Sequence, residues 1–369
     1  MNYIITGKAF TSPLIKKLSE NSNYRVISEE ELKNSSILFS EEDKIYCPEE
    51  TSVPFLEKGM KLDRWEKLQL IKNKHQCRIL LKNLYPDFYF KTLSLENLAN
   101  EVLPPAKKFI IKPQKGFFGV GVREIKSDSD LKKVAQDIKN EILKHIKIFS
   151  KDVFTSNDFI IEEYVNGEEY SFDIFYNEQG QVVLTSFCKH PLPKHIEYFH
   201  LLYYTGKQIY EKFYNQVIEI FTEFNKTLNL KNIPIHSEFK EQNGKLVPIE
   251  FNVPRFGGFG LADLPYYAYG ENPYQNFFES KSPDWNKIFK TNNKNYGWVL
   301  CYNGNNLDLD KFEPDYDKLQ KQIGNVLQLH KLNYKTNPAF ALVFVEFDNK
   351  NQIEKTLEID FKDFFKPKN

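Results

Sequence analysis

The sequence predicts a mixed chain, part α/β and part α+β, built from two or three packed domains. Three observations carry this expectation. The 369 residues exceed one ordinary compact core. Short β-prone runs alternate with helical periodicity at the start of the chain, and later β-prone runs pair around turn residues as strand-turn-strand units. Hydrophobic residues at 41% and aromatics at 15% supply enough apolar surface to fill such cores, which sets disorder aside.

Composition also excludes several classes. Lys plus Arg and Asp plus Glu balance at 50 each, so no global field favours nucleic acid or an anionic membrane. No apolar run is long enough to span a bilayer, and Met1 to Phe10 lacks the basic start and long apolar core of a signal peptide, with Met1 to Gly7 reading as a first strand. Cys47, Cys77, Cys188 and Cys301 are scattered, with no CxxC or Cys/His cluster. That spacing argues against a zinc site or a disulfide framework and for buried, reduced thiols in a cytoplasmic protein.

In chain order, residues 1 to about 70 read as a small α/β unit. Strands are expected at Tyr3–Gly7, Tyr24–Ile27, Ser36–Phe39 and Lys44–Tyr46, with a helix at Leu14–Leu18. Gly7 alone lacks the rest of a dinucleotide fingerprint. From Lys61 to Asn83 the pattern turns helical, with Asn73 and Lys74 near the start of the last helix. Tyr85-Pro86-Asp87 ends it. A short strand then delivers Lys112-Pro113 into the run Gly116-Phe117-Phe118-Gly119-Val120-Gly121, which returns as a second strand. Glycines let a backbone approach phosphate oxygens closely. The order Gly-x-x-Gly-x-Gly between two strands fits neither a Walker loop nor a Rossmann turn, and by itself it is equally an ordinary hairpin. Leu131–Phe149 is an amphipathic helix. Phe159-Ile160-Ile161 ends abruptly in Glu162-Glu163-Tyr164-Val165-Asn166-Gly167-Glu168-Glu169, unusual for a buried strand.

The most chemical stretch is Pro248-Ile249-Glu250-Phe251-Asn252-Val253-Pro254-Arg255, preceded by the strand-like Pro234 to Phe239. Glu250 and Asn252 stand two apart and project from one strand face. Carboxylate and amide oxygens on one face suit Mg²⁺, which binds together with substrate phosphates. Glu238 joins them across a hairpin only if an odd number of residues lies in the loop, and a three-residue loop Gln242-Asn243-Gly244 meets that condition. His190, His195 and His200 share no metal-ligand spacing and read as loop or solvent residues. Gln208–Leu228 is an amphipathic helix, Tyr266, Tyr267, Tyr269 and Tyr274 form an aromatic cluster, and the strands after Asn292 carry no chemical motif.

Taken together in this order, Lys74, Lys112 with its glycine loop, Glu162-Glu163-Tyr164-Val165-x-Gly167-x-Glu169, Glu238, and Glu250-x-Asn252-x-x-Arg255-x-Gly257-Gly258 resemble the ATP-grasp superfamily, particularly its carboxylate–amine ligases. The resemblance spans roughly residues 70 to 265. It implies an ATP-grasp fold with a small N-terminal α/β domain (1–70), a two-lobed ATP-binding core (71–290, lobes about 71–160 and 161–290) and a C-terminal α+β extension (291–369). It also implies roles. Lys74 and Lys112 contact the ATP phosphates, and the loop Gln114 to Gly121, with Lys115, Gly116, Gly119 and Gly121, closes over them. Glu162 accepts from the adenine amino group, the Tyr164 and Val165 backbone meets the adenine edge, and Glu169 binds the ribose. Glu238, Glu250 and Asn252 hold Mg²⁺, or Mn²⁺ in its place. Lys189, with Lys194 as a rival, reaches the γ-phosphate, and Arg255 binds the substrate carboxylate.

The implied activity is ATP-dependent ligation, in which a small-molecule carboxylate becomes an acyl phosphate and an amine displaces phosphate. Two alternatives stand beside it: a nucleotide-binding sensor or scaffold without turnover, and a phosphotransferase that shares the first half-reaction and releases the phosphorylated acceptor.

Overall fold

The computed structural model describes residues 1–7, 10–105, 107–115, 120–145, 158–304 and 307–368. The chain opens with a three-stranded parallel sheet of order β2-β1-β3, from β1 (Asn2–Thr6), β2 (Tyr24–Ser28) and β3 (Lys44–Tyr46). Helix α1 (Pro13–Ser19) starts where Ser12 caps the Leu14 N–H at 3.0 Å and Pro13 presets the first helical φ. Helix α2 (Glu29–Asn34) follows β2 on a capping box between Ser28 and Glu31. The strand expected at Ser36–Phe39 does not form. This segment lies outside the sheet and is pinned instead by the Phe39 N–H on the Gly59 carbonyl at 2.7 Å, with Phe39 buried and Leu38 exposed.

A 3-10 helix (Glu50–Leu56) leads to α3 (Leu62–Lys72) and α4 (Lys74–Leu80). Asn73 separates the two helices, ending one and capping the Gln76 N–H of the next at 3.0 Å. The second sheet is antiparallel, order β4-β7-β5-β6, from β4 (Phe90–Ser94), β5 (Lys108–Pro113), β6 (Arg123–Lys126) and β7 (Asp158–Glu163). Its period-2 alternation sends Phe109, Ile111, Phe159 and Ile161 into a core with Ile138 and Ile142 of α5 (Leu131–His145). Lys112 and Glu162 occupy the other face. The end of the expected helix, residues 146–149, lies outside the described residues.

The third sheet has eight antiparallel strands. It comprises β8 (Glu168–Tyr176), β9 (Val182–His190), β10 (Leu202–Gly206), β11 (Ile233–Gln242), β12 (Lys245–Asn252) and β13 (Asn295–Tyr302), with two later strands below. After β14 (Phe312–Pro314) come β15 (Asn325–Lys331) and β16 (Ala339–Phe347); β17 (Phe365–Pro367) pairs with β14 alone. The order β12-β11-β8-β9-β10-β13-β16-β15 shows that strands beyond residue 291 continue the same sheet. Helix α6 (Lys207–Leu228) lays Phe213, Val217, Phe221 and Phe224 on Phe172, Phe239 and Phe251, covering one face and leaving the other for the polar residues. Phe221 is fully buried, so truncating it to Ala costs about 3–5 kcal/mol.

The β11–β12 hairpin corrects the expected loop. The turn has two residues, Asn243 (φ 54) and Gly244 (φ 79), with Gln242 opposite Lys245. The odd residue sits in the ladder: Phe239 faces Pro248 while Glu238 faces Glu250, leaving Ile249 as a bulge. Asn-Gly prefers the two-residue turn whose twist matches the strands, and Pro248, without an N–H, interrupts pairing on this edge strand. Glu238 and Glu250 are therefore direct cross-strand partners, and His236 faces Asn252. All four cysteines are buried and unpaired. Among the described residues, no helix is long and apolar enough to cross a membrane.

Candidate active site

The polar face of the large sheet meets the Lys112 face of the small one, with α4 closing one side. Lys74 opens α4; its amide donates to the Gln114 carbonyl at 3.1 Å, and its Nζ lies 3.0 Å from Glu250 Oε1. Burial opposes its charge, but Glu250 outweighs burial and the Lys74 pKa rises. Lys112 Nζ lies 2.6 Å from Glu162 Oε2 and 3.4 Å from the Ile249 carbonyl, which the bulge turns toward it. Arg78, one turn beyond Lys74, places Nε 2.7 Å from Glu162 Oε1. Burial raises the Glu162 pKa, and the two cations more than reverse this, holding it at about 2.

Beside this triad runs a second buried chain. His236 Nδ1 is 2.7 Å from Asp173 Oδ1, and its Nε2 is 3.6 Å from Glu238 Oε1. The same Asp173 oxygen accepts the Gly257 N–H at 2.9 Å. Burial disfavours a charged imidazole, yet Asp173 overrides it and lifts the His236 pKa to about 9. An imidazolium with two donors thus separates two carboxylates. It ties the segment after Arg255 to Glu238.

Arg255 follows β12. Its Nε lies 3.2 Å from Glu50 Oε2, and Nη1 donates to the Phe256 carbonyl at 3.1 Å. The other Glu50 oxygen is paired with Lys72. The ion-paired group of Lys72, Lys74, Arg78, Lys112 and Arg255 therefore sets five cations against the carboxylates of Glu50, Glu162 and Glu250, an excess suited to a polyphosphate.

The remaining expected residues divide. Glu169 shares the polar face and pairs with His190 Nδ1 at 2.7 Å; His190 Nε2 is 2.9 Å from the Phe199 carbonyl, and its ring stacks on Tyr203 at 4.1 Å. His190 is thus a buried member of this face, contrary to the expectation of a loop or solvent histidine. Lys189 is not on this face. It lies opposite Tyr170, on the side covered by α6, and its Nζ pairs with Glu168. A single step along a strand inverts the side chain, which removes Lys189 from the phosphate role expected of it. Of the Tyr164–Val165 backbone edge, the Tyr164 N–H is already bonded to the Lys108 carbonyl at 3.0 Å, leaving the Tyr164 carbonyl and the Val165 backbone. Lys115 leans on Gln69 of α3 at 3.1 Å, and Gly121 takes φ 75 with its N–H on Glu141. Gly116 and Gly119 lie outside the described residues.

Arg78, His236 and Asp173 are missing from the sequence-based set, although signals existed. Arg78 stands four residues after Lys74, on the same helical face, and His236 stands two before Glu238 in an otherwise apolar strand. Glu50 offered none.

The oxygen set for a divalent cation comprises Glu238 and Glu250, with 28% and 27% of their side chains exposed, and Asn252 beside them. Asn252 is buried at 8%, and its amide makes no hydrogen bond among the described residues. Two carboxylates and an unengaged amide oxygen on adjacent positions fit Mg²⁺, which completes its shell with water and phosphate oxygens. Among the described residues no group of three or more His, Cys, Asp or Glu forms a metal cage.

Comparison with solved structures finds the same overall fold in several proteins. The L-amino acid ligase from Bacillus licheniformis superposes with a TM-score of 0.69 at 15% identity, over 100% of this chain and 98% of that one. Phosphoribosylamine–glycine ligase from Thermotoga maritima gives 0.64 at 13% identity, over 100% and 98%. The biotin carboxylase domain of 2-oxoglutarate carboxylase from Hydrogenobacter thermophilus, solved with MgADP and bicarbonate, gives 0.52 at 14%, over 82% and 69%. Curated protein sequences give no significant match. Residues 106–263 match the family model described as ATP-grasp domain.

Proposed function

We propose that this chain is an ATP-dependent carboxylate–amine ligase. The observation that carries the reading is the meeting of Glu238 and Glu250, cross-strand partners, with Lys74 and Lys112 from the facing elements and Arg255 five residues beyond Glu250. ATP occupies the cleft between the two sheets, with Lys74 and Lys112 on its phosphates. Glu238, Glu250 and Asn252 hold Mg²⁺, which when bound offsets charge on the transferring phosphoryl group. The residues themselves supply position and charge. Arg255, steadied at Nε by Glu50, presents its remaining guanidinium edge to the substrate carboxylate in the bidentate geometry that carboxylate and phosphate oxygens share.

The carboxylate oxygen attacks the γ-phosphorus as the bond to ADP breaks. An amine nitrogen then attacks the acyl carbon, and phosphate leaves. The lysines and Arg255 oppose the negative charge in both steps, the term that dominates such reactions. The structural neighbours named as an amino acid ligase and an amine–glycine ligase support this class of substrates. The test is ADP release by the full chain with MgATP against pooled small carboxylates and amines, with Glu250→Gln as control. Release that needs both an acid and an amine, and vanishes in the variant, is expected. Release that needs an acceptor alone would instead identify a phosphotransferase, and binding without release a sensor.

A further inference from the structure

Arg78 has no individual part in the reaction proposed above, yet it is one of the most constrained side chains in the cleft. Its side chain is 6% exposed, its guanidinium carbon lies 4.2 Å from the centre of the Phe88 ring, and its Nε holds Glu162 Oε1. Lys112 holds the other oxygen of the same carboxylate. Each Glu162 oxygen is thus fixed by a different cation, one from α4 and one from β5. Arg78 Nη2 is buried without a hydrogen-bond partner among the described residues. An unsatisfied buried N–H is costly, and hydrophobic side chains usually serve a fold at least as well as a buried ion pair. Fold stability alone is therefore a poor account of this arginine.

We propose that Arg78 is a positioning residue for nucleobase selection: with Lys112 it fixes the plane of the Glu162 carboxylate, so that the cleft accepts a purine bearing an exocyclic amino group and refuses one bearing a carbonyl there. This rests on the reading of the cleft as the ATP site. An ionised carboxylate is an acceptor only, and each of its oxygens keeps a lone pair after taking one cation. Adenine offers an N6 amino donor where guanine offers the O6 acceptor. Lone pairs facing O6 leave both groups unpaired. A lysine on a flexible stem does not set the plane of a carboxylate, whereas a planar guanidinium stacked on a ring does. Without Arg78 the carboxylate swings toward Lys112, and the discrimination it provides is lost.

The experiment is calorimetric titration of the full chain with the Mg²⁺ complexes of non-hydrolysable ATP and GTP analogues. It compares wild type, Arg78→Met and Arg78→Lys, each checked for native circular dichroism. Wild type is expected to prefer the ATP analogue by about a hundredfold or more, and Arg78→Met to cut that ratio about tenfold through weaker ATP binding. Arg78→Lys, which keeps the charge and loses the planar fork, falls between. A ratio unchanged in both variants overturns the inference while leaving the ATP site intact, as does a wild type that binds both analogues equally. If Arg78→Met does not fold, the Arg78→Lys ratio decides alone. A wild type that binds neither analogue overturns the nucleotide reading, and this inference with it.

Discussion

Glu50 Oε2 lies 3.2 Å from Arg255 Nε, although 205 residues separate the two in the chain. A second tie runs beside it, from the Cys47 N–H to the Pro254 carbonyl at 3.0 Å. The N-terminal domain therefore reaches into the cleft and holds the segment that presents Arg255. Lys72 keeps the other Glu50 oxygen occupied, so the carboxylate is held from both sides.

Glu50→Ala is expected to loosen Arg255 without touching Lys74 or Lys112. Losing a charged hydrogen-bond partner corresponds to about a tenfold rise in KM for the carboxylate substrate, with MgATP affinity altered by less than about twofold. Steady-state kinetics beside MgATP titration separates the two. Equal weakening of both ligands would mean that Glu50 supports the fold rather than Arg255.

Glu250→Gln and Lys112→Met are each expected to lower ADP formation by at least about a hundredfold. Glu250 keeps 27% of its side chain exposed, so the isosteric amide leaves the fold intact. Lys112→Met leaves Arg78 to neutralise Glu162. Thermal melts establish folding, and near-normal turnover in either folded variant would refute the site.

Asp263 is fully buried and accepts from Ser12 Oγ and Tyr274 Oη, both at 2.7 Å. Burial lifts its pKa to about 7 against the pull of these two hydroxyls. The folded chain thus retains this proton to near neutrality, whereas the unfolded chain releases it near pH ~3.9. Between those values the folded state binds more proton, so stability falls as pH rises from about 4 to about 7 and levels off above. Asp263→Asn removes this contribution. Its melting temperature relative to wild type should climb across that window, and parallel pH profiles would show that Asp263 does not titrate there.

Gly244 sits at φ 79 with no atom within 4 Å of the place a Cβ would take. Gly244→Ala therefore meets backbone strain alone and should cost about 1 kcal/mol in urea unfolding. MgATP affinity should not change, because the turn lies at the far end of the hairpin from Glu238 and Glu250.

Much of this architecture was legible in local pattern. The β5–β6 and β11–β12 strand pairs, the α4 start at Asn73-Lys74 and the long apolar face of α6 all follow from period, capping and turn chemistry. Parity, too, was legible: an odd residue had to lie between Glu238 and Glu250. Its place was not, because the Asn243-Gly244 turn and the imino nitrogen of Pro248 compete over where the ladder breaks. Lys189 and His190 lie on the faces opposite to those expected for a related reason. A strand read without its neighbours does not declare which face α6 covers.

By itself the sequence determined many of the elements, their order and the resemblance to the ATP-grasp superfamily, because these rest on spacings of a few residues and on motifs in succession. Tertiary structure alone decided the partners. Arg78 finds Glu162 across 84 residues, Lys74 finds Glu250 across 176 and Arg255 finds Glu50 across 205. Such pairs form where two sheets and an N-terminal domain close on one cleft. There the cost of burying each charge is offset only by the opposite charge that the fold brings to it.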